Sequence, residues 1–373
     1  MKILIGMPAK DSWGGPAAAE WPLAEALAQQ GVDVVTEDYV FGDKGRPTPF
    51  LSRIARVLKT AFRFRRLLKE NSFDILFLNS AFDTKSLLRD AISLFIMRPR
   101  RTKVFLKVHG SLAHKFIGRP GGWTILINYL RRQVDAFGIH TRDELRAFIH
   151  LGFPASQFFR VRNAITVGSE IPADFIRILK DSGSSFELLF VARFVRTKGL
   201  LETIKACDLL RQKGVDFTLT CVGDGEVKTE AEALVRELGL DGQIRFTGYV
   251  AESEVTELFL RSDILVFPTS HPEGFPLVLF KAVATGMPVV TTPVRAAGEY
   301  LTEPENCLFC TADPENIAEK VSSLIDDIVL REEMSAANVA YGLTLLPDVI
   351  AADYLSMFRS MIEATPSDHT FER

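Results

Sequence analysis

The sequence predicts an α/β protein built from two doubly wound parallel sheets in series. Three observations carry that expectation. Short apolar runs alternate with amphipathic helical stretches, the alternation occurs twice, and a stretch rich in Gly, Pro and Ser, Thr166–Ser185, separates the two series. A chain of 373 residues with 47% apolar and 24% charged residues has material for two ordinary cores and the wrong composition for global disorder.

In the first series, Lys2–Gly6, Asp33–Glu37, Ile75–Asn79, Val104–Val108 and Ala136–Ile139 read as strands, with Pro16–Gln30 as a helix after the first. In the second, Glu187–Ala192, Thr218–Val222, Ile244–Thr247, Ile264–Pro268 and Val289–Thr291 read the same way. The expected domains are 1–167 and 184–347, two Rossmann-like sheets facing one another across a cleft. A helix at about 349–363, following Pro347, rejoins the first domain, and 364–373 is a frayed, flexible tail.

Composition excludes several classes. No apolar run approaches the roughly 18 residues of a membrane span, and the apolar opening meets Lys10 and Asp11 too soon for a signal peptide. A cytoplasmic protein is expected. Four cysteines form no disulfide framework; Cys307 and Cys310 have the spacing of half a zinc site, but no second pair or nearby histidine completes it, so buried thiols are expected and no metal. Residues 1–165 carry 26 Lys+Arg against 14 Asp+Glu, whereas 166–373 carry 18 against 33. Opposite signs on the two halves suggest that only the first meets an anionic surface.

Several loops can carry chemistry. Arg193 and Lys198 follow a strand and precede a helix, where ligands of open parallel sheets bind; an Arg fork and a Lys point charge suit a diphosphate. His271–Ala282 has the same strand-to-helix context. Backbone N–H groups of Gly274, Phe275, Leu277 and Val278 at that helix start make an anion site, and Glu273 just before it can accept hydrogen bonds from sugar hydroxyls. The plain alternatives are a solvated charge pair and a helix cap. In the first half, Gly14-Gly15 precedes a helix and His109-Gly110 ends a strand. Gly223-Asp224-Gly225 lacks the third glycine of a dinucleotide fingerprint, because Lys228 holds its place, which disfavours a nicotinamide enzyme.

Together these pieces resemble, over nearly the whole chain, the retaining glycosyltransferases of family 4, which have the GT-B fold. The matching segments occur in family order: Gly14-Gly15, His109-Gly110, Asn163-Ala164, Arg193…Lys198-Gly199, Gly223-Asp224-Gly225, Gly248-Tyr249-Val250, Ser262-Asp263 through Glu273-Gly274-Phe275, and Ala284–Val290. The resemblance implies that Arg193 and Lys198 hold the diphosphate of a UDP- or GDP-linked sugar and stabilise the leaving nucleotide. It implies that Glu273 contacts the donor sugar, His109 lies near the reacting sugar, Gly15 lies beside the phosphates, and Tyr249 and Val250 line the base pocket. It further implies retention by front-face attack, a nucleotide-sugar co-substrate and no cofactor. The absence of any Asp-x-Asp agrees with a metal-independent donor site.

One position departs from the family. Lys281 stands where a second glutamate binds the ribose hydroxyls, and Lys offers donors but no acceptor. The ribose is then held otherwise, or the donor carries an added negative group, or catalysis is weakened. Asn163-Ala164 also replaces the family's Asn-Gly.

Phe50–Lys69 is amphipathic: Arg53, Arg56, Lys59, Arg63 and Arg66 share one arc, and Leu51, Ile54, Ala55, Leu58, Ala61 and Phe62 another. Arg98, Arg100, Arg101 and Lys103 form a second basic cluster after Ile92–Met97. This pattern suits an anionic membrane at the inner face of the cell, and a glycan or lipid-linked acceptor; an ordinary surface helix is the plain alternative. No aromatic stacking motif accompanies the charge, so nucleic acid is not expected. The expectation is a glycosyltransferase of cell-surface polysaccharide biosynthesis, against a catalytically weakened nucleotide-binding scaffold or a sugar-nucleotide-processing enzyme of the same fold.

Overall fold

The computed structural model describes residues 1–9, 15–39, 49–119, 121–167 and 177–363. They divide into two compact units, Met1–Ala164 with the chain from Pro347 onward, and Ile165–Leu346.

The first unit runs β1 (Lys2–Met7), α1 (Gly15–Gln29), β2 (Asp33–Asp38), α2 (Phe50–Glu70), β3 (Ile75–Ser80), α3 (Thr84–Met97), β4 (Lys103–Val108), α4 (Gly122–Gln133), β5 (Ala136–Ile139), α5 (Arg142–His150) and β6 (Phe158–Arg160). The strands form a parallel sheet of order β2-β1-β3-β4-β5-β6. Because helices cover both faces, the central strands are continuous apolar runs, such as Ile75–Leu78. On one face Leu76, Leu78, Leu106 and Val108 pack with Ala61 and Phe64 of α2, Leu87 and Leu94 of α3, Ile127 of α4 and Phe148 of α5.

The other face belongs to α1 and a last helix. Tyr354 and Phe358 pack on Phe77 and Phe105, with ring centroids 5.4–6.1 Å apart; Tyr354 stacks on Phe77 and the other three pairs meet edge-on. Burying each such ring stabilises by about 1.5–3 kcal/mol, which explains why the chain end docks on this sheet.

The second unit runs β7 (Phe186–Val191), α6 (Leu200–Gln212), β8 (Phe217–Val222), α7 (Lys228–Glu237), β9 (Ile244–Gly248), α8 (Glu252–Arg261), β10 (Ile264–Phe267), α9 (Leu277–Ala284), β11 (Val289–Thr291), α10 (Ala296–Tyr300), β12 (Leu308–Phe309), α11 (Pro314–Asp326) and α12 (Ile328–Leu343). The helix that closes the first unit is α13 (Pro347–Glu363). The second sheet is parallel, with order β12-β11-β10-β7-β8-β9. The chain leaves β7 toward β8 and β9, then crosses to β10 and continues the other way. The carboxyl ends of β7 and β10 therefore flank a topological switch point, where open α/β sheets bind ligands. Cys207, Cys221 and Cys310 lie in this unit's core, and Cys307 is buried as well.

Candidate functional site

Two loops meet at that switch point. After β7 the chain passes Ala192–Val195 and makes one tight turn at Arg196–Lys198; after β10 it runs from Pro268 to Pro276. Thr197 O accepts the N–H groups of Ser270 at 2.9 Å and His271 at 3.2 Å, tying one loop to the other. Gly199 has φ +78, and a Cβ there would lie 2.6 Å from Pro268 O, so only glycine permits this approach. Lys198 Nζ then forms an ion pair with Glu273 Oε1.

Lys198 is buried, and burial together with the Arg193 charge pushes its ammonium down to about 8. The direct contact with Glu273 acts in the opposite sense, so we take the charged form as resident at neutral pH. Arg193 itself is exposed. Its neighbour Phe194 is fully buried, which fixes the backbone of this loop.

Two further strand ends adjoin it. Phe194 N donates to Asp224 O at 2.9 Å, and a Cβ on Gly223 would lie 1.9 Å from Ala192 O. Tyr249, after β9, donates its hydroxyl to Asp224 O at 3.3 Å with its ring largely exposed. Val250 follows it, half-buried.

The helix after the Glu273 loop starts later than the sequence suggests. Pro276, which has no N–H, is its N-cap, so Gly274 and Phe275 belong to the loop and the first-turn donors are Leu277, Val278 and Leu279. Phe275 anchors the loop: its ring stacks on Phe280 at 3.8 Å and meets Tyr300 edge-on at 5.3 Å. Lys281 lies one turn into α9 and is buried.

In the first unit, Gly15 is the first residue of α1, and Gly14 lies outside the described residues. His109 follows β4, its Nε2 2.8 Å from Asn79 Oδ1, while Asn79 Nδ2 donates to Gly6 O at 3.0 Å. Since the amide oxygen can only accept, His109 carries its proton on Nε2. Burial, with the charges of Lys107 and His140, holds this histidine well below its usual range, so it is neutral. Behind it Lys107 and Glu20 form a fully buried ion pair at 2.5 Å, and Glu20 Oε1 is also 3.5 Å from His109 Nε2. Glu20, Asn79, Lys107 and His140 were not singled out by sequence. The available signal was Lys107, a charge inside an otherwise apolar central strand, which requires a buried partner.

On α2, Arg56, Lys59 and Arg66 are exposed and Arg53 is half-buried; Arg63 pairs with Glu37 at 2.7 Å and Arg66 with Glu70 at 3.8 Å. The helix buries Thr60, Ala61 and Phe64. Of the apolar arc, Leu51, Ile54, Ala55, Leu58 and Phe62 are exposed, and Ala61 is buried.

Among the described residues no group of His, Cys, Asp and Glu could hold a metal ion, and no single helix is long and apolar enough to cross a membrane. Residues 174–339, which span nearly all of the second unit, match the family model of glycosyl transferases group 1. Over that stretch the chain is similar to glycosyl transferases group 1. Arg193, Lys198, Glu273 and Lys281 all lie within the group 1 match. Among curated proteins, the amylovoran biosynthesis glycosyltransferase AmsK of Erwinia amylovora is 28% identical over 55% of this chain and 47% of its own length. The N-acetyl-alpha-D-glucosaminyl L-malate synthase of Bacillus anthracis is 24% identical over 90% of both chains. The chain spans about half the length, or less, of the first curated relatives it matches. Among solved structures, Anabaena Alr3699/HepE in complex with UDP and glucose superposes with a TM-score of 0.71 at 19% identity, over 96% of this chain and all of that one. With two parallel six-stranded sheets flanked by helices, the two units have the GT-B fold.

Proposed function

We propose that this chain is a glycosyltransferase that moves a sugar from a UDP- or GDP-linked donor to a glycan or lipid-linked acceptor, with retention of anomeric configuration and without a metal ion. The proposed setting is cell-surface polysaccharide biosynthesis, in the cytoplasm and at the inner face of the membrane. The observation that carries the reading is the junction at the switch point of the second unit, where Lys198 on the loop after β7 pairs with Glu273 on the loop after β10.

Arg193 and Lys198 neutralise the departing diphosphate, and the N–H groups of Leu277 and Val278 complement its oxygens without adding charge. Glu273, oriented by Lys198, accepts hydrogen bonds from donor-sugar hydroxyls. Tyr249 and Val250 flank the base. His109 acts on the reacting sugar as a neutral hydrogen-bonding group. The bond from the anomeric carbon to the diphosphate breaks, the acceptor oxygen bonds that carbon on the same face, and the acceptor proton passes to a phosphate oxygen. No carboxylate nucleophile is needed. The complex of Alr3699/HepE with UDP and glucose supports the donor class.

A second reading, a nucleotide-binding scaffold without turnover, is favoured by Lys281, buried where ribose acceptors are expected. A panel of nucleotide sugars assayed for donor hydrolysis and transfer separates the two. Turnover of at least one UDP- or GDP-sugar, lost in Lys198→Ala, supports the transferase. Nucleotide binding with no turnover, restored by Lys281→Glu, supports the scaffold.

A further inference from the structure

We infer that the outer face of α2 and α3 docks on an anionic lipid bilayer, and that a cavity between the ends of α3 and α4 receives a lipid phosphate headgroup. The inference rests on the membrane contact in the proposed function and deepens it; vesicle binding reads it separately from sugar transfer.

All three helices cover the same face of the first sheet, α2 against α3 and α3 against α4. Their inner sides are already satisfied by Ala61, Phe64, Leu87, Ala91 and Leu94. On the outer side α2 presents Leu51, Ile54, Leu58 and Phe62, at helical spacing, with Leu51 77% and Phe62 56% exposed. The outer side of α3 repeats the pattern with Leu88, Ile92 and Phe95, the last 61% exposed. The two rows adjoin: Leu58, Phe62 and Arg65 share one side of α2, and Arg65 Nη1 donates to Ile96 O of α3 at 3.3 Å. Contiguous apolar rows of this size on a monomer mark an interaction surface.

Charge identifies the occupant. Lys59 and Arg66 border the α2 row on the helical wheel, and the first 165 residues carry 26 Lys+Arg against 14 Asp+Glu. A second copy of this chain, meeting the face through a two-fold axis, would set these cations against one another. An anionic bilayer accepts the apolar rows and pairs with the cations.

The cavity, about 280 Å³, is lined by Phe95, Arg98, Arg100, Tyr129 and Gln133 among others. Arg98 caps α3 in the left-handed region (φ 49), a conformation that disfavours a side chain and is usually left to glycine. That backbone holds its guanidinium 5.7 Å from the Phe95 ring at the cavity edge. Two guanidiniums, a phenol and an amide give the donors a phosphodiester needs, beside the apolar row that takes acyl chains.

The test is cosedimentation of the full chain with phosphatidylcholine vesicles, with and without phosphatidylglycerol. Binding is expected to require phosphatidylglycerol and to weaken with salt. Arg98→Gln with Arg100→Gln should lower affinity roughly 30-fold, as for two surface cations. Phe62→Asp with Phe95→Asp should abolish binding while circular dichroism and the melting temperature stay unchanged, since both rings are exposed. Equal binding to both vesicle types, or unchanged binding by both variants, would overturn the inference. So would a dimer in light scattering that Phe62→Asp abolishes, because the face would then serve a second copy.

Discussion

Lys198 Nζ pairs with Glu273 Oε1, joining the loop after β7 to the loop after β10 across the switch point of the second sheet. Both groups are largely withdrawn from water, with side chains 10% and 20% exposed. Removing one partner leaves the other charge poorly solvated. Glu273→Ala is therefore expected to destabilise the second unit by about 1–3 kcal/mol, below the cost of breaking a fully buried pair because Glu273 keeps some solvent. Urea denaturation followed by tryptophan-independent circular dichroism checks this. Lys198→Met with Glu273→Leu should recover most of the loss, as neither charge then remains.

The deeper pair in the first unit behaves more strongly. Lys107 and Glu20 are at most 1% exposed and 2.5 Å apart, with the Lys107 ammonium also 5.3 Å from the Tyr354 ring centroid. Glu20→Leu alone should cost about 3–5 kcal/mol, and Lys107→Met alone a similar amount. The double variant should be markedly more stable than either single one. Additive losses in the double-mutant cycle would show that the two side chains do not interact.

Acid should unfold the first unit through its histidines. Burial, with the Lys107 charge, lowers His140 from 6.5 to about 3, and lowers His109 in the same direction. Between those values the unfolded chain binds more protons than the folded one. For His140 the stability tied to neutral imidazole is thus full above 6.5 and is lost as the pH falls toward 3, at up to roughly 1.4 kcal/mol per pH unit, and His109 contributes in the same sense. Melting temperatures from pH 7 to pH 4.5 should fall, and His140→Asn should flatten the slope. An unchanged slope in that variant would remove His140 from the acid response.

Much of the fold was legible because parallel strands covered on both faces are simple apolar runs, as in Ile75–Leu78 and Ile264–Phe267. The short edge strands β6 and β12 were not, since two or three residues cannot establish a period. The start of α9 shifted because Pro276 can occupy the cap without an N–H, a property that residue type alone permits but does not require. Residues adjoining Lys198 were legible from their strand-end context. The His109 surroundings were not: Glu20 sits on a helix and Asn79 on a neighbouring strand, and only the sheet brings them together. On α2 the wheel separated apolar from basic residues correctly but did not say which arc the core takes. Tertiary packing chose Ala61 and Phe64, leaving Leu58 and Phe62 outside.

The most direct measurement is calorimetric titration of UDP and GDP into the wild-type chain and into Arg193→Ala and Lys198→Ala. The switch-point site predicts that at least one nucleotide binds and that each variant loses roughly 10-fold or more in affinity, the cost of about 1.5–3 kcal/mol for a hydrogen bond to a charged group. Binding of neither nucleotide, or equal affinity in the wild type and both variants, would contradict a donor-diphosphate site at Arg193 and Lys198.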